Sequence, residues 1–163
     1  MQRLKFIFSL AKPNLDFWDV CCDHGKLGEL ALRSKEFKKI YFVDQVDHQI
    51  IKIQQKYPSP NVVSFALDAS DIKIPIEGNF IIAGVGAFTI NKIISSLFNN
   101  GFLSADLLIL APQKNPQDVL KPLLGNSNFP YVLSSEHTLI EKGRERWVKV
   151  YSRVNPDNLV EGR

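Results

Sequence analysis

What most limits the fold of this chain is its alternation of short apolar runs with helix-patterned stretches. Residues 17–22 read as a buried strand, and residues 26–34 follow with Leu27, Leu30 and Ala31 on one helical face. Residues 40–44 form a second strand that ends on an acid, Asp44. Asp47 reads as the N-cap of a helix through Ile50, Ile51 and Ile53 that stops before Pro58. Residues 61–67 are a third strand, again followed by an acid, Asp68. Residues 79–85 are a fourth, closed by Gly84-Val85-Gly86, and a helix over about residues 89–98 ends near Asn100-Gly101. A fifth strand spans residues 106–110, with Pro112 marking its end and Pro116 opening another helix. Two β-rich segments, 131–140 and 147–154, come last, joined by Glu141-Lys142-Gly143-Arg144 as a turn or short loop.

Strands that alternate with helices build a parallel sheet covered on both faces. The last two strands have no helix between them and so pair antiparallel at one edge. The expected architecture is α/β and Rossmann-like. It has a mostly parallel seven-stranded sheet with a C-terminal antiparallel hairpin, in one domain over residues 1–154 followed by a flexible tail, 155–163. A length of 163 residues suits one domain, and 45% hydrophobic residues suffice for its core. No apolar run approaches the roughly 18 residues of a membrane span. Residues 1–10 carry Arg3 and Lys5 beside a short apolar stretch but no small-residue cleavage site, so no signal peptide and a cytoplasmic location are expected. Cys21 and Cys22 are adjacent and the chain has no other cysteine, which excludes a disulfide framework. With Asp23 and His24 they are spaced too tightly for a usual zinc site, so no metal is expected, and the pair reads as small residues filling the end of a buried strand. The net charge of +3 permits a nucleic-acid partner without requiring one.

In doubly wound sheets ligands lie beyond the carboxyl ends of the strands, so the residues after each strand are the candidates. After the first stands Asp19-Val20-Cys21-Cys22-Asp23-His24-Gly25-Lys26, a loop in which only Gly25 eases backbone approach by a ligand. Asp44, followed by Gln45, has the spacing of a ribose-binding acid, or else it caps a helix. Asp68, with Ala69, either accepts from an exocyclic adenine amine or caps in its turn. Ala83-Gly84-Val85-Gly86-Ala87 leaves room for a flat base or a methyl donor, or packs a helix tightly on its strand. Gln113, after Pro112, either hydrogen-bonds a base edge or shapes the turn. Lys142, Arg144, Arg146 and Lys149 surround Trp147. They suit phosphates and base stacking, or they are the charges of an exposed edge strand with Trp147 in the core. Lys35, Lys38 and Lys39 read as a solvated helix end.

These segments, in this order, resemble the bacterial tRNA (adenine-22-N1)-methyltransferases. The family's D-I-G-S-D-H-A-x-L loop is similar to residues 19–27, its I-A-G-M-G-G to residues 82–87, its L-I-L-Q-P-N to residues 108–113, and its N-terminal Arg-Leu to Arg3-Leu4. Five β-α units followed by a hairpin are also the strand plan of class I methyltransferases. The resemblance implies S-adenosylmethionine as methyl donor and an adenine of tRNA as acceptor, with no membrane partner. It places Asp19, Cys21, Gly25, Asp44, Gln45, Asp68, Ala69 and Gly84 at the donor, and Asp23 and His24 where donor and acceptor meet. Gly86, Pro112 and Gln113 fall on the acceptor side, and Arg144 and Arg146 of the basic segment are the chain's own candidates for contact with the RNA. The chain departs from the pattern at Cys21 and Ala87, each in place of a glycine, and at Gln113, in place of an asparagine. The family's C-terminal helical, coiled-coil-like extension, which helps to hold tRNA, has no counterpart before Arg163, so the donor site carries over more directly than the RNA substrate. A methyltransferase of this fold acting on another RNA or small molecule, and a non-catalytic binding module, are the alternatives.

Overall fold

The computed structural model describes residues 2–155 and residue 157. Seven strands form one sheet: β1 (Phe17–Val20), β2 (Ile40–Asp44), β3 (Val62–Ala66), β4 (Asn79–Ala83), β5 (Leu107–Ala111), β6 (Tyr131–Glu141) and β7 (Arg144–Arg153). Their order is β3-β2-β1-β4-β5-β7-β6. The first five run parallel, and β7 is antiparallel to both β5 and β6. The helices are α1 (Gln2–Ser9), α2 (Lys26–Ser34), α3 (Asp47–Lys56), α4 (Ala87–Asn99) and α5 (Lys121–Leu124).

Alternate residues of each strand feed opposite faces, as the pleat requires. Phe17, Phe42, Ile81, Ile109 and Val148 pack with Ile7, Leu27, Ala31, Ile50 and Ile53 of α1, α2 and α3. Trp18, Tyr41, Phe80, Leu108 and Tyr151 pack with Ile90, Ile93, Ile94 and Leu97 of α4. On that second face Trp18 stacks on Tyr41 with centroids 3.8 Å apart and planes 2° from parallel. On the first, α2 comes so close to β2 that a Cβ on Gly28 would collide with Cε1 of Phe42.

The structure shifts several of the expected boundaries. The first strand stops at Val20, because Cys21 takes a left-handed backbone (φ 57) that no strand continues, so the cysteines belong to the loop. Residues 2–9 are helical, although the sequence pattern did not single them out. Asp47 is the first residue of α3 rather than its cap. Val46 holds the cap position, with no side-chain cap bond. The helix expected from Pro116 is a 3₁₀ turn, Pro116–Asp118, and then the short α5. Leu120 at φ 57 separates them, where Asn91 accepts from its N–H at 2.7 Å and donates to the Asp118 carbonyl at 2.8 Å. The last turn is only Lys142-Gly143, both with positive φ (51 and 72), as a two-residue hairpin loop matched to strand twist requires. The hairpin is therefore longer than expected on both sides. The expected tail, 155–163, lies outside the described residues except for Asn155 and Asp157.

Candidate active site

Between β1 and β4 the chain reverses its winding, and the loops after these two strands part to open a crevice at their carboxyl ends. The loop after β1 is unusual. Cys21, Asp23 and Gly25 have φ of 57, 49 and 70, so every second residue is left-handed, and only one of the three is glycine. Asp44 at the end of β2 clamps this loop. One carboxylate oxygen accepts from the Asp23 N–H at 2.9 Å and the other from the Val46 N–H at 3.0 Å. Below it, buried Asp19 accepts from the Gly28 N–H at 2.8 Å. Burial raises its pKa to about 7, opposed by the Gly28 hydrogen bond and assisted by the nearby Asp44 charge. Burial likewise pushes the Cys21 thiol up to about 12 and raises the Cys22 thiol, so both stay protonated and neither is an activated nucleophile.

Two cavities meet at this loop. The larger, of about 510 Å³, lies over the ends of β2 and β3 and reaches the start of α4. Its walls carry Asp44, Gln45, Asp68 and Ala69, its apolar floor includes Val43, Leu67 and Ile93, and Phe88, Thr89 and Lys92 close one side. The smaller, of about 320 Å³, holds Asp19, His24, Lys26 and Gln113, with Arg3 and Leu4 of α1 on its rim. Cys21, Asp23 and Gly84 line both and form the passage between them. Gly84 has φ 81, and a Cβ there would meet no atom within 4 Å, so backbone conformation rather than crowding favours glycine. Asp23 and His24 are largely exposed, with 3.7 Å between carboxylate and imidazole, and Asp23 also accepts from the Gln49 amide at 3.3 Å.

Asp68 is a cap, as one of its two sequence readings held. It accepts from the Ser70 N–H at 2.9 Å and from the Ser70 hydroxyl, while Lys92 donates to its other oxygen at 2.8 Å. The Lys92 bond and then those from Ser70 hold its pKa down at about 2. Gln113 is fixed by its own N–H, which donates to the Val85 carbonyl at 2.8 Å and ties the β5 loop to the β4 loop. Gly25, Gly86, Pro112, Arg144 and Arg146 line neither cavity. Gly25 instead faces Phe42 and Ile53, where a Cβ would lie 3.0 Å and 3.1 Å away. Gly86 precedes α4 at its cap position, and the two arginines stand on the hairpin. Phe88, Thr89 and Lys92 join the site from α4 and Arg3 from α1, outside the strand-end segments that the sequence marks as candidates. The spacing of Phe88, Thr89 and Lys92 in the first turns of α4 was the available signal. Among the described residues no group of three or more His, Cys, Asp and Glu is placed to hold a metal ion, and no helix is long and apolar enough to cross a membrane.

A profile described as methyltransferase domain matches residues 1–146. No curated protein sequence matches significantly. Solved structures similar to this chain include TrmK of M. capricolum with S-adenosyl-homocysteine, 17% identical, with a TM-score of 0.74 over 94% of this chain and 68% of that one. The m1A22 tRNA methyltransferase TrmK of B. subtilis is 19% identical, with a TM-score of 0.76 over 99% and 69%. The N-methyltransferase NodS of Bradyrhizobium japonicum is 10% identical, with a TM-score of 0.68 over 94% of each chain. At these identities the structural likeness establishes the fold.

Proposed function

The chain belongs to the methyltransferase domain family, and on that premise we propose that it transfers a methyl group from S-adenosylmethionine to N1 of an adenine in tRNA. The observation that carries this reading is the pair of joined cavities with Asp44 in one, Asp19 in the other and Asp23 in the passage. Their volumes are those of a small-molecule site. Asp44 uses one acceptor position on each oxygen for backbone N–H groups, which leaves a second on each for a ribose diol. The apolar floor with exposed Phe88 above it suits a flat adenine. Asp68 spends both positions of one oxygen on Ser70 and one of the other on Lys92, which leaves a single acceptor position for an adenine amine. Asp19, buried and next to the narrower cavity, suits the ammonium of an amino-acid tail.

When bound, the donor supplies an electrophilic sulfonium methyl. Gly84 adds no side chain to its wall of the passage, opposite the Cys21 and Asp23 side chains, where that methyl would be exposed. The base gains the positive charge that the sulfonium loses, and Asp23 at the passage stabilises it or takes an N6 proton. His24, 3.7 Å away, acts through Asp23. Alignment of the two reactants supplies most of the acceleration. Incubation with an unmodified tRNA transcript and labelled donor, followed by nucleoside mass spectrometry, tests the reading. N1-methyladenosine that falls about 10²-fold in an Asp23→Ala variant is expected. Donor binding without methylation of tRNA would refute the acceptor, and undiminished methylation by the variant would remove Asp23.

A further inference from the structure

From the hairpin geometry we infer that Arg3 and Arg146, held around Glu141, form a phosphate clamp that grips the RNA backbone beside the smaller cavity. The inference rests on the proposed nucleic-acid acceptor. Pairing of β5 with β7 reaches Leu110 opposite Lys149, whereas β7 pairs with β6 as far as Arg144 opposite Glu141. Residues 144–148 therefore project about 17 Å beyond that last β5 pair, on the side where the cavities open. Residues opposite each other in an antiparallel pair share a face. Arg144 faces the same way as Glu141, and so does Arg146, two residues on and opposite Leu139. The start of α1 meets this face. Arg3 Nε lies 3.8 Å and Arg146 Nε 3.9 Å from the same Glu141 oxygen. Both distances exceed those of a charge-assisted hydrogen bond, and both Nε atoms are buried without a hydrogen-bond partner among the described residues.

Two guanidinium groups thus converge on one carboxylate oxygen, with donors to spare and about a fifth of each side chain open to solvent. Arg3 lines the smaller cavity, as does exposed Lys26, and exposed Arg144 and Lys142 continue the positive charge to the hairpin tip. A planar guanidinium fork matches the two free oxygens of a phosphodiester. A nucleotide entering the passage at Asp23 carries such a group within reach of this wall. Glu141 keeps the arginines in place and lowers their pull on anions until a phosphate arrives.

The test is binding of an unmodified tRNA transcript, without donor, at several salt concentrations. Arg146→Gln and Arg3→Gln should each weaken binding several-fold and reduce the slope of log affinity against log salt by about one. Arg146→Lys, which keeps the charge but not the fork, should fall between. Glu141→Gln should tighten binding several-fold, which a merely structural glutamate would not do. Calorimetry with S-adenosylhomocysteine should give the same affinity for Arg146→Gln as for the wild type. Unchanged tRNA affinity and salt slope in folded Arg146→Gln and Glu141→Gln proteins would overturn the clamp, as would a loss of S-adenosylhomocysteine affinity, which would make the donor's carboxylate the anion. Failure of the wild type to bind S-adenosylhomocysteine at all would instead count against the proposed function.

Discussion

Cys21 occupies a backbone conformation that glycine adopts freely and a side chain resists by roughly 1–2 kcal/mol. Replacement by glycine relieves that strain but loosens the unfolded chain by about as much. Chemical denaturation should therefore find Cys21→Gly within about 1 kcal/mol of the wild type, whereas Cys21→Val, β-branched in the left-handed region, should lose about 1–3 kcal/mol. Removal of the thiol from the passage should also tighten S-adenosylhomocysteine binding. Asp19 predicts a pH dependence. Its folded pKa of about 7 lies above the ordinary carboxylate value, so its ionisation opposes folding, and stability falls as pH rises from the ordinary carboxylate range to about 7 and levels off beyond it. The same ionisation favours a donor ammonium, so S-adenosylhomocysteine affinity should rise between pH 6 and 8. Asp19→Asn should flatten both profiles. Asp68 runs the other way: its depressed pKa gives stability that is present above the ordinary carboxylate range and lost as pH falls towards 2. Phe88 is 83% exposed at the rim of the larger cavity. Phe88→Ala should weaken S-adenosylhomocysteine binding about five- to tenfold, the value of a stacking contact of roughly 1 kcal/mol or a little more. Phe88→Trp should preserve binding and show quenched emission when the nucleoside is bound.

At the scale of elements, Gly28 sets how closely α2 approaches the sheet. Gly28→Ala should cost about 1–3 kcal/mol, read by denaturant titration, because the methyl would meet the Phe42 ring. This is the close helix–strand packing that glycine provides in nucleotide-binding loops. Only Gly25 in the β1 loop is legible as a left-handed position, because Cys21 and Asp23 conceal their left-handed backbones behind ordinary side chains. The parallel strands were legible because residues 40–43 and 107–111 are continuous apolar runs buried on both faces, the first ended by Asp44 and the second by Pro112. Helix α1 was not. Leu4, Phe6 and Phe8 alternate as in a strand, and only Ile7 is fully buried, so docking against α2 and β6 decides the conformation. The break before α5 was equally hidden, since Asn91, 29 residues from Leu120, fixes it.

At the scale of the molecule, strand order and the projecting hairpin place the two cavities and the basic hairpin tip at one end of the sheet, beyond the carboxyl ends of the parallel strands. The acids that end β2 and follow β3 were legible as candidates, but their roles diverge for reasons no local pattern holds. Asp44 holds two backbone N–H groups and keeps acceptor capacity. Asp68 is drawn into a cap by Ser70 and neutralised by Lys92 from a distant helix. Asp44 is therefore the residue on which donor binding should depend most. Calorimetric titration of wild type and Asp44→Ala with S-adenosylhomocysteine tests it most directly. Micromolar binding by the wild type is expected, and two hydrogen bonds to a charged group predict a loss of at least about tenfold in the variant. No binding by folded wild-type protein, or equal binding by both, would contradict it.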